Sequence, residues 1–371
     1  MKIIADENIP YLKGFAEKYG EVTYLPGAAF TKEAIEKADA LIVRTVTHFD
    51  KELLERSKVK LICSATIGYD HIDTEYCDAH HIRWANAPGC NSGSVQQYIA
   101  SVLILLSRKY NFDLSEKTIG VVGVGNVGQK VASICKLLGM KVLLNDPPRA
   151  AKEGEEDFVS LETIKQAADI ITFHTPLTKE GEYKTRHLAD RNFFSSLGKK
   201  PFIINSARGA IVDTAAVKEA LKNGLIRGAV VDCWENEPDI DTEYMDLAEI
   251  ATPHIAGYSA DGKSNAARMA LESLAGFFNL DSSELKNIKP LEPENDTIDL
   301  SVFPESGNRI YDAILKTYNP IDDFRHLKAD VSGFKLLRNT YPLRREYLAY
   351  SVMNAREEEK ELLGSLGFRI S

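Results

Sequence analysis

Between residues 1 and 93, short apolar runs alternate with amphipathic stretches. The runs fall at 2–5, 22–25, 40–43 and 61–64, and helical spacing follows them up to 18, over 31–37 and over 50–57. Runs this short do not make helices, and their unbroken apolar character is that of strands covered on both faces. Strands alternating with amphipathic helices predict a parallel sheet with crossover helices. The first 93 residues therefore read as a small doubly wound domain of flavodoxin-like kind.

A long apolar helix over 94–107 follows, suited to joining two domains. A second series then begins, with strands predicted at 118–122, 141–145, 170–173, 202–205, 228–232 and 249–251 and helices between them. A helix over 268–279 is expected to cross back onto the first domain. Residues 281–299 are polar and acidic with interspersed proline, and read as a linker. From 300 onward helical periodicity returns at 310–315 and 347–363. The expected fold class is α/β, with two doubly wound parallel-sheet domains and a small α+β C-terminal domain. The expected boundaries are 1–93 with 258–285, then 94–257, then 286–371.

The chain has 371 residues, more than one hydrophobic core comfortably serves. Its net charge of -9 argues against nucleic acid as a partner, because phosphate binding calls for a basic face. No run approaches the ~18 apolar residues of a membrane helix. Asp6 and Glu7 stand where a leader would place its apolar core, so a cytoplasmic protein is expected. Cys63, Cys77, Cys90, Cys135 and Cys233 are scattered and form no CxxC pair. They read as reduced thiols, with no metal centre expected.

The candidate chemistry begins at Gly123-Val-Gly-Asn-Val-Gly128. A β-branched strand leads into this segment, a helix leads out, and a second strand ends at Asp146. That context turns a weak glycine pattern into a dinucleotide seat. Gly123 allows the tight turn, Gly125 lets the backbone approach a pyrophosphate, and Gly128 lets helix and strand pack closely. The helix N-terminus offers free N–H groups to the anion. Asp146 can accept hydrogen bonds from the adenosine ribose and repels a 2'-phosphate, which favours NAD over NADP. Arg149, three residues on, works against that preference.

Downstream, Arg208, Glu237 and His254 each follow a predicted strand of one sheet, where such sheets bind ligands. Oxidation of a 2-hydroxy acid requires a clamp for its carboxylate and a base for its hydroxyl proton. The planar fork of Arg208 suits the clamp. His254 suits the base, since an imidazole exchanges a proton near neutrality. A carboxylate partner would orient the ring. Glu237 and Glu235 both qualify, and the physics of the sequence does not separate them.

With these residues in hand, the chain resembles the D-isomer-specific 2-hydroxyacid dehydrogenases over its first 280 or so residues. Gly123–Gly128 with Asp146 is similar to the family's NAD fingerprint, and His174-Thr-Pro-Leu-Thr178 to its loop beside the nicotinamide ribose. Asn205-Ser-Ala-Arg-Gly-Ala-Ile-Val-Asp213 resembles the signature that carries the substrate arginine. Val231-Asp-Cys-Trp-Glu-Asn-Glu-Pro238 places the family's glutamate last before proline, which selects Glu237. Thr252-Pro-His-Ile-Ala-Gly257 carries the histidine. The resemblance implies that Asn126, Val127, Thr175, Ser206, Ala207, Arg208, Asp232 and Gly257 line the NAD site, with Asp232 on the nicotinamide carboxamide.

Three further segments resemble a branch of the family that acts on a phosphorylated 2-hydroxy acid and dimerises through a C-terminal extension. They are Lys2-Ile-Ile-Ala-Asp-Glu-Asn-Ile-Pro10, Val43-Arg-Thr-Val-Thr47 and Ala65-Thr-Ile-Gly-Tyr-Asp-His-Ile-Asp73. His254-Ile-Ala-Gly-Tyr-Ser259 agrees with them. Thr45, Thr66 and Tyr258 are implied as substrate contacts. Position 45 carries threonine where serine is expected, which keeps the hydroxyl, and Cys90-Asn-Ser-Gly-Ser94 departs from the commoner pattern. The substrate phosphate needs cations: Arg44, at a strand end, is the first candidate, and Arg344 with Arg345 the second unless they are surface charges. Other members act on 3-phosphoglycerate, glyoxylate or hydroxypyruvate, and some serve as dinucleotide-sensing co-regulators. These are the rival readings.

Overall fold

The computed structural model describes residues 1–304 and 307–371. Contacts divide the chain into two compact units, Met1–Asn91 with Ser259–Glu292 and Ser92–Tyr258 with Pro293–Ser371.

The first unit holds β1 (Lys2–Asp6), β2 (Glu21–Leu25), β3 (Ala40–Val43), β4 (Leu61–Ser64) and β5 (Arg83–Ala85), all parallel, in the order β2-β1-β3-β4-β5. β3 and β4 are buried at every position, as continuous apolar runs in central parallel strands should be. The order reverses between β1 and β3, which makes their carboxyl ends the ligand-binding edge. Helix Ala260–Phe278 lays a row of small residues, Ala266, Ala267 and Ala270, into the core formed by Ile3, Ala5, Ile42 and Cys63. It begins well before the expected residue 268. Ser259 caps it by accepting from the Gly262 N–H, and the polar first turn hides that start from an apolar pattern.

Two expectations fail in this unit. The helical stretch up to residue 18 is only a 3-10 turn, Ala16–Lys18, because Pro10 and the left-handed Gly14 break the preceding chain. Residues 281–299 are not a free linker. Leu285 and Ile288 are 1% and 5% exposed within the core, and the stretch ends as a strand of the other unit.

The second unit is built on β6 (Thr118–Val122), β7 (Lys141–Asn145), β8 (Ile170–Phe173), β9 (Phe202–Asn205), β10 (Gly228–Val231) and β11 (Ile250–Ala251). They form one parallel sheet in the order β11-β10-β9-β8-β6-β7, with its reversal between β6 and β8. The fold class agrees with the expectation from sequence. Helix Ser92–Tyr110 is buried nearly all round, which marks a helix covered on both sides. Two of its polar residues donate to the C-terminal segment. Gln97 donates to Thr317 and to the Arg345 carbonyl, and Ser101 donates to the Tyr318 carbonyl.

The C-terminal segment carries helices Arg309–Thr317, Pro320–Ala329 and Phe334–Asn339. It adds a parallel three-stranded sheet of β12 (Thr297–Asp299), β13 (Ser351–Met353) and β14 (Arg369–Ile370). Helix Pro320–Ala329 covers the edge strand β11. The helix expected over 347–363 is overturned. A 3-10 turn at Tyr347–Ala349 leads into β13, and a helix starts only at Glu357. Pairing of β13 with strands on both sides, and burial of Val352, outweigh the helical spacing.

Candidate active site

The reversal point of the second sheet lies between the loops after β6 and β8. Gly123 sits at φ 87°, and a Cβ there would come within 2.7 Å of the His174 carbonyl carbon. A Cβ on Gly128 would meet the Gly123 carbonyl oxygen at 2.0 Å, whereas one on Gly125 would meet nothing within 4 Å. The loop is thus pressed against its neighbours everywhere except above Gly125, at the N-terminus of helix Asn126–Leu137 where Asn126 and Val127 begin the first turn.

Asp146 closes this loop. Its carboxylate accepts the Val124 N–H at 2.8 Å and the Arg149 N–H at 3.1 Å. The Arg149 side chain turns away to Glu153 and to the Val124 carbonyl. Its charge is therefore engaged, which removes the objection it raised to NAD. Thr175 and Ser206 each hold a hydroxyl oxygen shielded from solvent with no hydrogen-bond partner among the described residues. Two stranded hydroxyls and the open space above Gly125 suit a dinucleotide, whose ribose and phosphate oxygens would occupy them. The neighbouring His174 shares a hydrogen with the Thr172 hydroxyl, and burial pushes its imidazole down to about 3, so it stays neutral.

Arg208 follows β9 in a loop folded by Asn205, whose side-chain amide donates to the Arg208 carbonyl and accepts the Ala207 N–H. A side chain at position 209 would collide with the Trp234 backbone at 1.9 Å, so only glycine lets this loop lie against the next one. Arg208 donates through Nη1 to the Ala207 carbonyl. Together with Trp234, Glu237 and His254 it lines an open cavity of about 410 Å³, to which Lys179 and Arg186 also contribute.

His254 Nδ1 lies 2.8 and 3.0 Å from the two carboxylate oxygens of Glu237. An Nδ1–H donated to this acid leaves Nε2 as the proton acceptor. Glu237 is itself held by the Trp234 N–H at 2.9 Å. Burial pushes its carboxyl up, but the His254 imidazole, the Trp234 N–H and the Arg338 guanidinium outweigh burial and hold it below the usual carboxylate range. His254 has φ 56°, a strained backbone for a residue with a side chain. Asp232, 1% exposed, maintains that bend. It accepts the Thr252 hydroxyl and the Ile255 and Ala256 N–H groups, which flank His254. Burial raises the Asp232 carboxyl against the pull of His254 and these donors. In this arrangement the acid expected at the nicotinamide carboxamide is also the brace of the histidine loop.

Glu235, the rival acid, faces elsewhere. It accepts from His187 at 2.8 Å and from the Thr214 N–H at 2.9 Å. Donor atoms of Cys233, Glu237 and His254 lie within 4.8 Å of one another. Burial pushes the Cys233 thiol well up, and it donates to the Ala207 carbonyl, while the other two bond each other. A protonated thiol beside a formed imidazole–carboxylate pair suits proton transfer rather than cation binding.

Gly257 and Tyr258 follow the histidine in the second unit, and the Tyr258 hydroxyl accepts from Arg338. Arg44, Thr45 and Thr66 lie in the first unit, in the loops after β3 and β4. Arg44 stands 3.1 Å from Asp6, Thr45 is exposed, and the Thr66 hydroxyl bonds Ser64 and the Gly68 carbonyl. Arg344 and Arg345 are 5% and 6% exposed, so they are not surface charges. Arg344 donates to Ser94 and to the Ala256 carbonyl, with its guanidinium 4.1 Å from the Tyr318 ring centre. Arg338 carried no signal in the sequence, because it lies in no motif and reaches the site only by folding.

Comparison with known proteins adds a second line of observation. Residues 104–256 match the family description D-isomer specific 2-hydroxyacid dehydrogenase, NAD binding domain. An erythronate-4-phosphate dehydrogenase of Bacteroides thetaiotaomicron is 54% identical over 95% of this chain and 99% of its own. Among solved structures, the NAD+-bound 3-phosphoglycerate dehydrogenase of Entamoeba histolytica is 28% identical with a TM-score of 0.65, over 75% of this chain and 95% of its own. A D-lactate dehydrogenase of Aquifex aeolicus, complexed with NAD and lactic acid, is 26% identical with a TM-score of 0.64, over 78% of this chain and all of its own.

Proposed function

The chain belongs to the D-isomer specific 2-hydroxyacid dehydrogenases, and from that premise we propose that it oxidises 4-phospho-D-erythronate with NAD. The product is (R)-3-hydroxy-2-oxo-4-phosphooxybutanoate, and the step belongs to pyridoxal 5'-phosphate (vitamin B6) biosynthesis. The observation that carries this reading is the His254–Glu237 pair sharing one cavity with Arg208, in a chain more than half identical to a named erythronate-4-phosphate dehydrogenase over nearly its full length.

In this reading Arg208 binds the substrate carboxylate and turns C2 toward the coenzyme. His254 Nε2 takes the C2 hydroxyl proton as the C2–H bond breaks and the C2–O double bond forms. Glu237 keeps the ring oriented and balances the imidazolium charge. NAD, when bound, supplies the acceptor for the hydride leaving C2. Gly123, Gly125, Asn126, Val127, Gly128, Asp146, Thr175, Ser206, Ala207, Asp232 and Gly257 are proposed to hold it. Thr45, Thr66 and Tyr258 are proposed substrate contacts, with Arg44 as a phosphate ligand.

The assay is NADH absorbance with 4-phospho-D-erythronate against 3-phosphoglycerate, repeated with Arg44→Ala. The erythronate should be preferred by about tenfold or more in kcat/KM, a discrimination within reach of a site built to pair polar groups. Arg44→Ala should raise KM for the phosphorylated acid well above any change in KM for NAD. Equal turnover of both acids would overturn the substrate, and parallel rises in both KM values would remove Arg44 from the phosphate site.

A cytoplasmic homodimer formed through residues 286–371 completes the proposal. The C-terminal segment exposes Val302, Leu336, Leu343, Leu348 and Met353, an apolar set that a second copy would cover. The five cysteines are buried thiols, as suits a reducing compartment. Among the described residues no helix is long and apolar enough to cross a membrane. Sedimentation of the full chain as a monomer at micromolar concentration would refute the dimer.

A further inference from the structure

We propose that Arg338, a residue of the C-terminal segment, is a positioning residue that holds Glu237 and Tyr258 with one guanidinium and so sets the pH range in which the His254–Glu237 pair accepts a proton. The inference rests on the function proposed above and adds a part to it.

Three observations place Arg338. Its Nη1 lies 3.7 Å from Glu237 Oε2, an ion-pair distance too long for a hydrogen bond. Its Nη2 donates to the Tyr258 hydroxyl at 3.2 Å, and the guanidinium lies 5.6 Å from the centre of the same ring. Its Nε is shielded from solvent and without a partner among the described residues. A surface arginine would keep its head in water. This one spends part of its hydration to stand beside a carboxylate and a tyrosine.

The helix that carries it is anchored for that purpose. Phe334, one turn earlier, is 1% exposed in the core that also contains Trp234 and Tyr244. Asp330 accepts the Gly333 N–H and fixes the entry to the helix. The guanidinium therefore approaches the pair from a rigid element.

The charges around the pair come from every loop packed on it. Arg208 follows β9, Asp232 and Cys233 follow β10, Tyr258 follows β11, Lys179, Arg186 and Glu235 line the same cavity, and Arg338 comes from the last side. Glu237 supplies the negative charge that favours an imidazolium. With His254 and the Trp234 N–H, Arg338 helps hold that carboxylate ionised, so it goes on accepting Nδ1–H. As a cation, Arg338 also opposes a second positive charge on the ring. Neutralising it should make the pair keep its proton to higher pH.

The test is the pH dependence of kcat/KM for the full-length enzyme with NAD and 4-phospho-D-erythronate. Arg338→Gln keeps an N–H for Tyr258 without the charge, Arg338→Met keeps the stem's packing, and Arg338→Lys keeps the charge. The acidic limb should move up by about half a pH unit or more in the Gln and Met variants, a Coulombic effect of ordinary size. The Lys variant should keep the wild-type limb, and KM for NAD should stay within about twofold throughout, since no coenzyme contact is touched. A folded neutral variant with the wild-type limb overturns the proposal. So does a Lys variant displaced as far as the neutral ones. If the wild-type enzyme yields no NADH from this acid, the failure belongs to the proposed function instead.

Discussion

Glu235 and Glu237 are two residues apart and carry the same side chain, yet their carboxylates serve different imidazoles. The intervening Asn236 has φ 61°, and that left-handed residue turns the chain so that the two side chains diverge. Glu235 joins His187 and the Thr214 N–H, which ties two loops together. Glu237 joins His254 and the Trp234 N–H. Glu237→Gln should therefore lower kcat by about a hundredfold or more, the usual scale for losing a positioned acid–base pair, while Glu235→Gln should cost only a few-fold. Steady-state kinetics on the two variants decides it, and comparable losses would refute the division of roles. This is the limit of legibility at the residue scale. The chemistry of the sequence pointed to Arg208, His254 and a nearby acid. That chemistry alone did not choose between the acids, because the choice depends on one backbone dihedral, and only the family resemblance favoured Glu237. Arg149 shows the same limit: its charge was visible in the sequence, but its engagement by Glu153 was not.

At the scale of elements, legibility follows burial. β3, β4, β6, β8 and β9 were readable to the residue because a four- or five-residue apolar run between polar turns has one reasonable fate in an α/β chain. β13 is three residues long, and its partners are β12 and β14, some fifty residues before and sixteen after it in the chain. Its pattern merged with the following helix. That helix, Glu357–Leu366, is fixed by a pair that no periodicity reveals. Arg309 and Glu359 have side chains 8% and 11% exposed and meet through two hydrogen bonds at 3.0 and 2.6 Å. Removing one partner leaves the other buried and uncompensated. Glu359→Ala should cost about 3 kcal/mol or more in denaturant unfolding, whereas replacing both residues with apolar ones of similar volume should cost much less. A single variant as stable as wild type would show that the pair bears little of the C-terminal fold.

At the scale of the whole molecule, each unit contains an imidazole kept neutral by burial, and the pH dependence of stability follows from both. His71 belongs to the first unit and is 4% exposed. Burial pushes it down from 6.5 to about 4, with Asp70 opposing and His48 adding to the effect. In the second unit, burial pushes His174 down from 6.5 to about 3, although the residue as a whole is only half-buried. A base whose folded value is depressed binds more protons unfolded than folded in the interval between the two values. Stability is therefore complete above about pH 6.5 and is lost as pH falls through that interval. For His71 the interval corresponds to at most about 3 kcal/mol. For His174 solvent screening reduces the effect. The depressed carboxyls of Glu235, Glu237 and Glu359 act in the same direction, but only below their ordinary value of 4.5. The two histidines should thus lower stability from pH 6.5 to 4.5, opposed by Asp232 and Asp323, whose carboxyls burial raises. Thermal melts of wild type should show the midpoint falling across that range, and His71→Gln should flatten the fall by removing one of the two terms. A His71→Gln midpoint that falls as steeply as that of wild type would mean that this ring is protonated in the folded protein. The sequence offered no way to foresee this behaviour, because a histidine's titration is fixed by the side chains packed around it, and those come from strands and loops far away in the chain.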